Sequence, residues 1–371
     1  MGVVHSSPRS LRTPDDDLPD LVRHELVSFF ETRQAVQRAT AGEFADATDS
    51  LIELVLSGGK RLRPTFAWWG WRAAGGDPTG AQAGAVIRAA SALELIQGCA
   101  LVHDDLMDDS PRRRGLPTVH VTFAERHRQA GWATGSNRFG MAAAVLLGDL
   151  SLAWADDMLR ESGLSAAAAT RAAEPWQAMR TEMLAGQYLD MLAQVRGDED
   201  PETALRVNRL KSAAYTVERP LHLGAAIADA PAAVVAGLRG FGTAIGVAFQ
   251  LRDDQLGVFG DPAVTGKPAG DDLREGKRTL LLSIGMRRAA ERVNDSASAI
   301  LRAAVGNAEL DEDGVSAARA VLIDLGAVAE VEKEIDRLTE QALTELAATP
   351  IVSDAREGLT RLAASATRRD H

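Results

Sequence analysis

The sequence predicts an all-α fold, and three observations carry the prediction. Aromatic residues make up only 5% of a chain in which Ala is abundant throughout, and alternating Val, Ile and Thr segments of the strand kind are hard to find. From about residue 20, apolar side chains recur three and four apart, as at Leu21, Val22, Leu26, Phe29 and Phe30, which is the stripe a helix turns toward a core. Breaks then fall at 57–59, 75–78, 110–111, 131–140, 197–201, 229–231, 257–270 and 306–314, leaving segments of helical length between them.

Taken in order, residues 1–19 are rich in Ser, Pro and Asp and offer little apolar area to bury, so a disordered leader is expected there. No linker or composition shift divides residues 20–371, which are expected to form one large helical bundle with a central cavity. The 371 residues are 46% hydrophobic and 25% charged, ordinary globular usage. A net charge of -11 argues against a nucleic-acid partner while leaving room for focused basic sites that bind small anions. The single cysteine, Cys99, excludes an intramolecular disulfide and fits a reducing compartment. No uninterrupted apolar run reaches the roughly 18 residues of a membrane span, and the N-terminus lacks a signal-peptide apolar region. A cytoplasmic location without a membrane span is expected.

Two apolar runs end in paired aspartates, at 93–109 and at 240–257. In the first, Asp104 and Asp108 lie four apart and Asp105 and Asp108 three apart, so on a helix their carboxylates crowd one face and attract a cation. Oxygen-only ligands suit Mg²⁺ or Mn²⁺, although a solvated acidic helix end has the same composition. The second pair, Asp253 and Asp254, has Gly257 where a third carboxylate would complete the pattern, with Asp261 beyond it. A Gly-rich stretch carrying Lys267, Asp271, Asp272, Lys277 and Arg278 comes next. Bases come after a glycine pair at Lys60, Arg61 and Arg63, and after the first aspartates at Arg112, Arg113 and Arg114. Guanidinium groups grip phosphate oxygens bidentately, although each run alone also suits a helix-flanking charge run or a simple ion pair.

Together, GGKRLRP (58–64), LVHDDLMDDSPRRRGLPTVH (101–120), KSAAYT (211–216) and FQLRDDQLGVFGDPAVTGKPAGDD (249–272) resemble the trans-isoprenyl diphosphate synthases in residue type, order and spacing, over about residues 20–365. The resemblance implies head-to-tail condensation of isopentenyl diphosphate with an allylic diphosphate, on an all-helical homodimer. It implies that Asp104, Asp105 and Asp108 on one side and Asp253 and Asp254 on the other hold three Mg²⁺, for which Mn²⁺ can substitute, around the allylic diphosphate. Arg113, Lys211 and Lys267 would add positive charge there, Ser212 would keep a hydroxyl where Thr is common, and the carbonyls of Lys211 and Gln250 would face the allylic cation. Lys60, Arg63, Gln97 and Arg114 match the family's metal-free pocket for isopentenyl diphosphate. The C-terminal Arg368 and Arg369 match basic tails that close over that pocket, though a solvated charged end looks the same. Gly257 departs from the family pattern, which puts Asp261 in doubt as a ligand.

By the same resemblance, residues a turn or more before Asp104, namely Ala100, Cys99 and Ile96, form the floor beneath the growing product. Relatives making C15 carry Phe or Tyr here, whereas Ala and Cys leave room. A helical turn rises about 5.4 Å, close to one isoprene unit, so a C20 product is expected, with a longer or shorter chain as the alternative. The lower floor is expected from the helix at 141–159, through Leu152 or Trp154. Two rivals remain. A class I terpene cyclase shares the first motif but lacks GGKRLRP and FQLRDD, and a non-catalytic partner subunit is kept open by Gly257.

Overall fold

The computed structural model describes residues 14–113, 115–261 and 270–367. The fold is all-α: among the described residues, β structure is confined to a two-residue antiparallel pair in which Arg112 faces Pro117 and Arg113 faces Leu116. The helices are α1 (Pro14–Thr40), α2 (Gly42–Leu56), α3 (Leu62–Ala73), α4 (Ala83–Met107), α5 (Val119–Ala130), α6 (Ser136–Arg160), α7 (Ala166–Arg196) and α8 (Pro201–Val207). A π-helical segment (Asn208–Glu218) runs into α9 (Arg219–Ile227), followed by α10 (Ala232–Phe259). The C-terminal part of the chain adds α11 (Asp271–Arg274), α12 (Leu280–Glu291), α13 (Asp295–Ala304), α14 (Glu312–Asp324), α15 (Ala327–Ala348) and α16 (Ser353–Thr367).

Residues 14–19, expected to belong to the leader, are helical instead. Helix α1 begins at Pro14, a residue whose fixed φ suits a first helical turn, and three aspartates follow in that turn, where acidic groups are favoured. Leu18, Val22, Leu26 and Phe30 then recur every four residues on one buried face. Asp15 accepts hydrogen bonds from Trp68 Nε1 at 2.7 Å and Arg72 Nε at 3.2 Å. Residues 14–19 are thus docked onto α3 rather than loose.

Helix α4 is the axis of the bundle. Fifteen of its residues are buried, because α1, α2, α3, α6 and α9 all pack around it. Contact between α3 and α9 is close enough to need glycine on both sides. A Cβ on Gly70 would meet the Leu221 carbonyl oxygen at 2.2 Å, and one on Gly224 the Ala67 carbonyl oxygen at 1.9 Å. Helix α10 lies between α15 and the π-helical segment, and one hydrophobic core runs through the whole bundle from Leu18 to Ala366.

Uninterrupted apolar runs understate one property of these helices. Averaged along their length, α4, α6 and α10 are each long and apolar enough to cross a membrane, because scattered charges lower a helix's mean hydropathy only slightly. Their apolar windows are 72%, 39% and 50% buried inside the fold, respectively. For α4 and α10 the apolarity serves the core; α6 leaves much of its surface bare.

Candidate active site

The C-terminal ends of α4 and α10 open into one cavity of about 880 Å³, lined by Asp104 from the first and Asp253 and Asp254 from the second. The sequence accounts for this placement: each aspartate pair ends an apolar helix, so the carboxylates emerge where core gives way to cavity.

The aspartates of the first cluster are not equivalent. Asp104 lines the cavity, and its Oδ1 lies 2.9 Å from Lys211 Nζ. Asp105 is turned inward at 2% exposure, where Arg113 Nε donates to its Oδ1 at 2.7 Å. Arg113 Nη2 also reaches Asp104 Oδ2 at 3.3 Å. Asp105 therefore orients Arg113 rather than lining the cavity. Asp108 caps α4, and its Oδ2 is 3.9 Å from Lys277 Nζ.

Electrostatics separate the carboxylates further. Burial would raise the Asp104 carboxyl, but Lys211, Lys277 and Arg113 outweigh it and hold the group below the usual carboxylate range. Asp108 is pushed up to about 7 by burial and by the charge on Asp104. Asp254 is likewise pushed up to about 7 by burial and Asp272, although Gln250 Nε2 donates to it at 2.7 Å and Asn208 Nδ2 at 3.0 Å. Burial would lower the Lys211 ammonium, but Asp104 and Asp190 hold it above its ordinary value.

Backbone geometry places Lys211. A Cβ on Gly186 of α7 would meet the Lys211 backbone nitrogen at 2.2 Å, so only glycine there lets the π-helical segment come so close. Lys211 Nζ then reaches Asp190 on the same helix at 2.6 Å. Farther along the segment, Arg63 lies over the Tyr215 ring, 4.0 Å from its centroid, and its Nη2 donates to Thr216 Oγ1 at 2.9 Å. Ser212, Gln250, Gln97, Lys60 and Arg63 all line the cavity.

A Cβ at Gly257 would fall 1.8 Å from Asp272 Oδ2. The room that a third aspartate would use is filled by a carboxylate from α11, which also lines the cavity. Asp261 is exposed and does not line it. Arg114, Lys267, Arg368 and Arg369 lie outside the described residues.

A sequence model of the polyprenyl synthetase family matches residues 45–321. The chain belongs to the polyprenyl synthetase family. A geranylfarnesyl diphosphate synthase of Aeropyrum pernix is 34% identical over 309 residues, covering 81% of this chain and 87% of that protein. A geranylgeranyl diphosphate synthase of Saccharolobus solfataricus is 31% identical, covering 83% and 84%. The crystal structure of a Corynebacterium glutamicum geranylgeranyl pyrophosphate synthase, complexed with isoprenyl diphosphate and magnesium, is 43% identical and superposes with a TM-score of 0.93 over 96% of this chain and 99% of that one.

Family membership gives the donor set a test. Among the described residues no three His, Cys, Asp or Glu side chains form a ready-made metal cage. Magnesium needs none, since it binds through one or two carboxylates together with phosphate oxygens and water, and the cavity offers carboxylate oxygens on two facing helices. The residues fit Mg²⁺.

Sequence reasoning missed Asp190 and the clasp around Lys277, whose Nζ lies 2.6 Å from Glu275 and 3.1 Å from Asp272, while Glu275 accepts from Ser110 Oγ at 2.8 Å. The clasp ties the loop after the first motif to the segment after the second. The chain-length residues divide. Cys99 and Ala100 line the cavity, but Ile96 is fully buried in the core and does not. Leu152 and Trp154 do not line it either: Trp154 packs against both Phe29 and Phe30. At this level α6 is tied directly to α4, where Ser151 Oγ donates to the Leu95 carbonyl at 2.7 Å. The cavity is lined instead by Met183, Leu184 and Gln187 of α7, together with His103 and Met107 of α4.

Proposed function

We propose that the chain is a cytoplasmic, Mg²⁺-dependent prenyltransferase that condenses isopentenyl diphosphate with dimethylallyl, geranyl and farnesyl diphosphates to give the C20 product, geranylgeranyl diphosphate. The observation that carries this reading is one cavity shared by Asp104, Asp253, Lys211, Lys60, Arg63 and Gln97. Asp104 and Asp108 on one side and Asp253 and Asp254 on the other would hold the metal, with Asp105 in support through Arg113, three ions in all as the family pattern implies, with Mn²⁺ able to substitute. Bound there, Mg²⁺ supplies positive charge to a departing diphosphate. Lys211 and Arg113 add fixed charge, which helps most where negative charge grows. Arg63, held over Tyr215 and tied to Thr216, presents its guanidinium in one orientation to the second diphosphate. The apolar side chains of Ala100, Met183 and Leu184 line the same cavity and exclude water from a reactive carbocation.

Chain length is tested by incubating the enzyme with isopentenyl diphosphate and each allylic starter, then chromatographing the dephosphorylated alcohols. A C20 alcohol is expected. A dominant C15 alcohol overturns the open-floor argument, and a C25 alcohol gives the longer-chain alternative. Ala100→Phe is expected to shorten the product by at least one isoprene unit, because a ring there fills about one helical turn of cavity length. Turnover by the purified chain alone separates an enzyme from a non-catalytic subunit, and conversion of a single allylic diphosphate without isopentenyl diphosphate would indicate a cyclase.

The homodimer is supported by an exposed apolar face at Trp132, Phe139, Met141, Val145 and Leu146, which are 55%, 37%, 52%, 45% and 62% exposed. Clustered apolar surface of this kind marks association sites. Val145→Asp is expected to convert the dimer to monomer in light scattering, since a buried unpaired carboxylate opposes association strongly.

A further inference from the structure

All three bases after the glycine pair line the cavity, but one of them spends its charge on a protein partner. Arg61 takes the left-handed conformation, with φ 49° and ψ 39°, immediately before α3. A side-chain-bearing residue adopts that conformation at a cost. Its guanidinium is turned onto α4, where Nη1 forms an ion pair with Glu94 Oε2 and Nη2 lies 3.5 Å from the Leu56 carbonyl oxygen. The paired side chains are 6% and 4% exposed. Glu94 Oε1 is also buried and has no hydrogen-bond partner among the described residues.

The segment that Arg61 ends is otherwise weakly held. Gly58 and Gly59 have φ values of 137° and 105°, and among the described residues no backbone hydrogen bond is donated by Gly58, Gly59 or Lys60. The backbone is next fixed at the Arg61 carbonyl, which accepts from the Thr65 amide at 3.1 Å and from Thr65 Oγ1 at 2.7 Å. Lys60 precedes Arg61 directly, and Arg63 follows two residues later. Glu94 stands three residues before Gln97 on α4, so both residues face the same side of the loop.

We propose that the Arg61–Glu94 ion pair is a latch that fixes the loop bearing Lys60 and Arg63 onto the helix bearing Gln97, and that Glu94 is a positioning residue for isopentenyl diphosphate. The proposal rests on the assignment of Lys60, Arg63 and Gln97 to that substrate. The latch spends one of three available cations on placing the other two. The left-handed backbone at Arg61 coincides with the side chain's contact onto α4.

Glu94→Gln removes the charge while keeping the shape and leaves the Arg61 guanidinium buried without its counter-ion. The affinity for isopentenyl diphosphate, measured by calorimetry without metal, is expected to fall about tenfold, and its KM to rise by a similar factor, while the KM of the allylic substrate stays within about twofold. A merely structural role would move both KM values and the melting temperature together. Arg61→Leu combined with Glu94→Leu guards against misfolding, because replacing a buried ion pair by apolar side chains is commonly tolerated. That double variant is expected to melt near the wild-type temperature and still bind isopentenyl diphosphate weakly. Wild-type affinity in both latch variants, with Lys60→Ala weakened, overturns the latch alone. Wild-type affinity in Lys60→Ala as well overturns the pocket assignment beneath it.

Discussion

Replacing Asp104 with Asn is expected to lower the rate of condensation by about a thousandfold, the scale seen when one preorganised electrostatic partner is lost from a transition state. Asp104 is the residue of the first cluster that lines the cavity while touching both fixed cations, Lys211 and Arg113. The fold should survive, because Lys211 keeps Asp190 and Arg113 keeps Asp105. Steady-state product formation alongside a thermal melt checks both parts. A fall of less than about tenfold in a well-folded variant would remove Asp104 from the centre of the mechanism.

The second large effect is in pH. Asp108 and Asp254, pushed up to about 7 from an ordinary value of 3.8, keep protons in the folded chain that the unfolded chain releases. Between about pH 4 and pH 7 the folded, metal-free chain therefore binds more protons than the unfolded one. Its stability falls as pH rises through that window, by about 1.4 kcal/mol per pH unit for each such group, and levels off above it. Metal binding has the opposite slope. Mg²⁺ needs the carboxylates ionised, so the half-saturating Mg²⁺ concentration is expected to rise about tenfold per pH unit below 7 for each proton displaced. Titrating Mg²⁺ into enzyme with a non-reactive allylic diphosphate analogue at pH 8, 7 and 6 measures this. A flat profile would mean that neither carboxylate gives up a proton to the metal.

The helices and the two aspartate pairs were legible because they are local. Apolar spacing writes a helix into consecutive residues, and an acidic pair closing an apolar run marks a cavity mouth from either end. Partnerships across the fold were not legible. Lys211 and Asp190, or Glu275 and Ser110, meet only because α7 and α11 come to rest where they do. Gly257 read as a missing ligand because the sequence does not show that Asp272 fills its space. Ile96 and Trp154 were misplaced for a related reason. Counting turns back from Asp104 identifies a helix, but which neighbour covers each face is decided by α1 and α6. Arg61 looked like its neighbours Lys60 and Arg63 until its backbone turned left-handed.

The π-helical segment from Asn208 to Glu218 bears on how this protein can change in evolution. It is wound more loosely than the helices on either side, and Lys211, Ser212, Tyr215 and Thr216 line the cavity from it. Removing a single codon after Lys211 would favour ordinary helical winding and rotate everything downstream by about 100°. Tyr215 would leave Arg63, and Glu218 would leave Arg239, to which it is paired at 2.9 Å. Substitution is open only to those positions of the stretch that neither line the cavity nor hold Arg63 or Arg239, and a change of its length disturbs all of these contacts together.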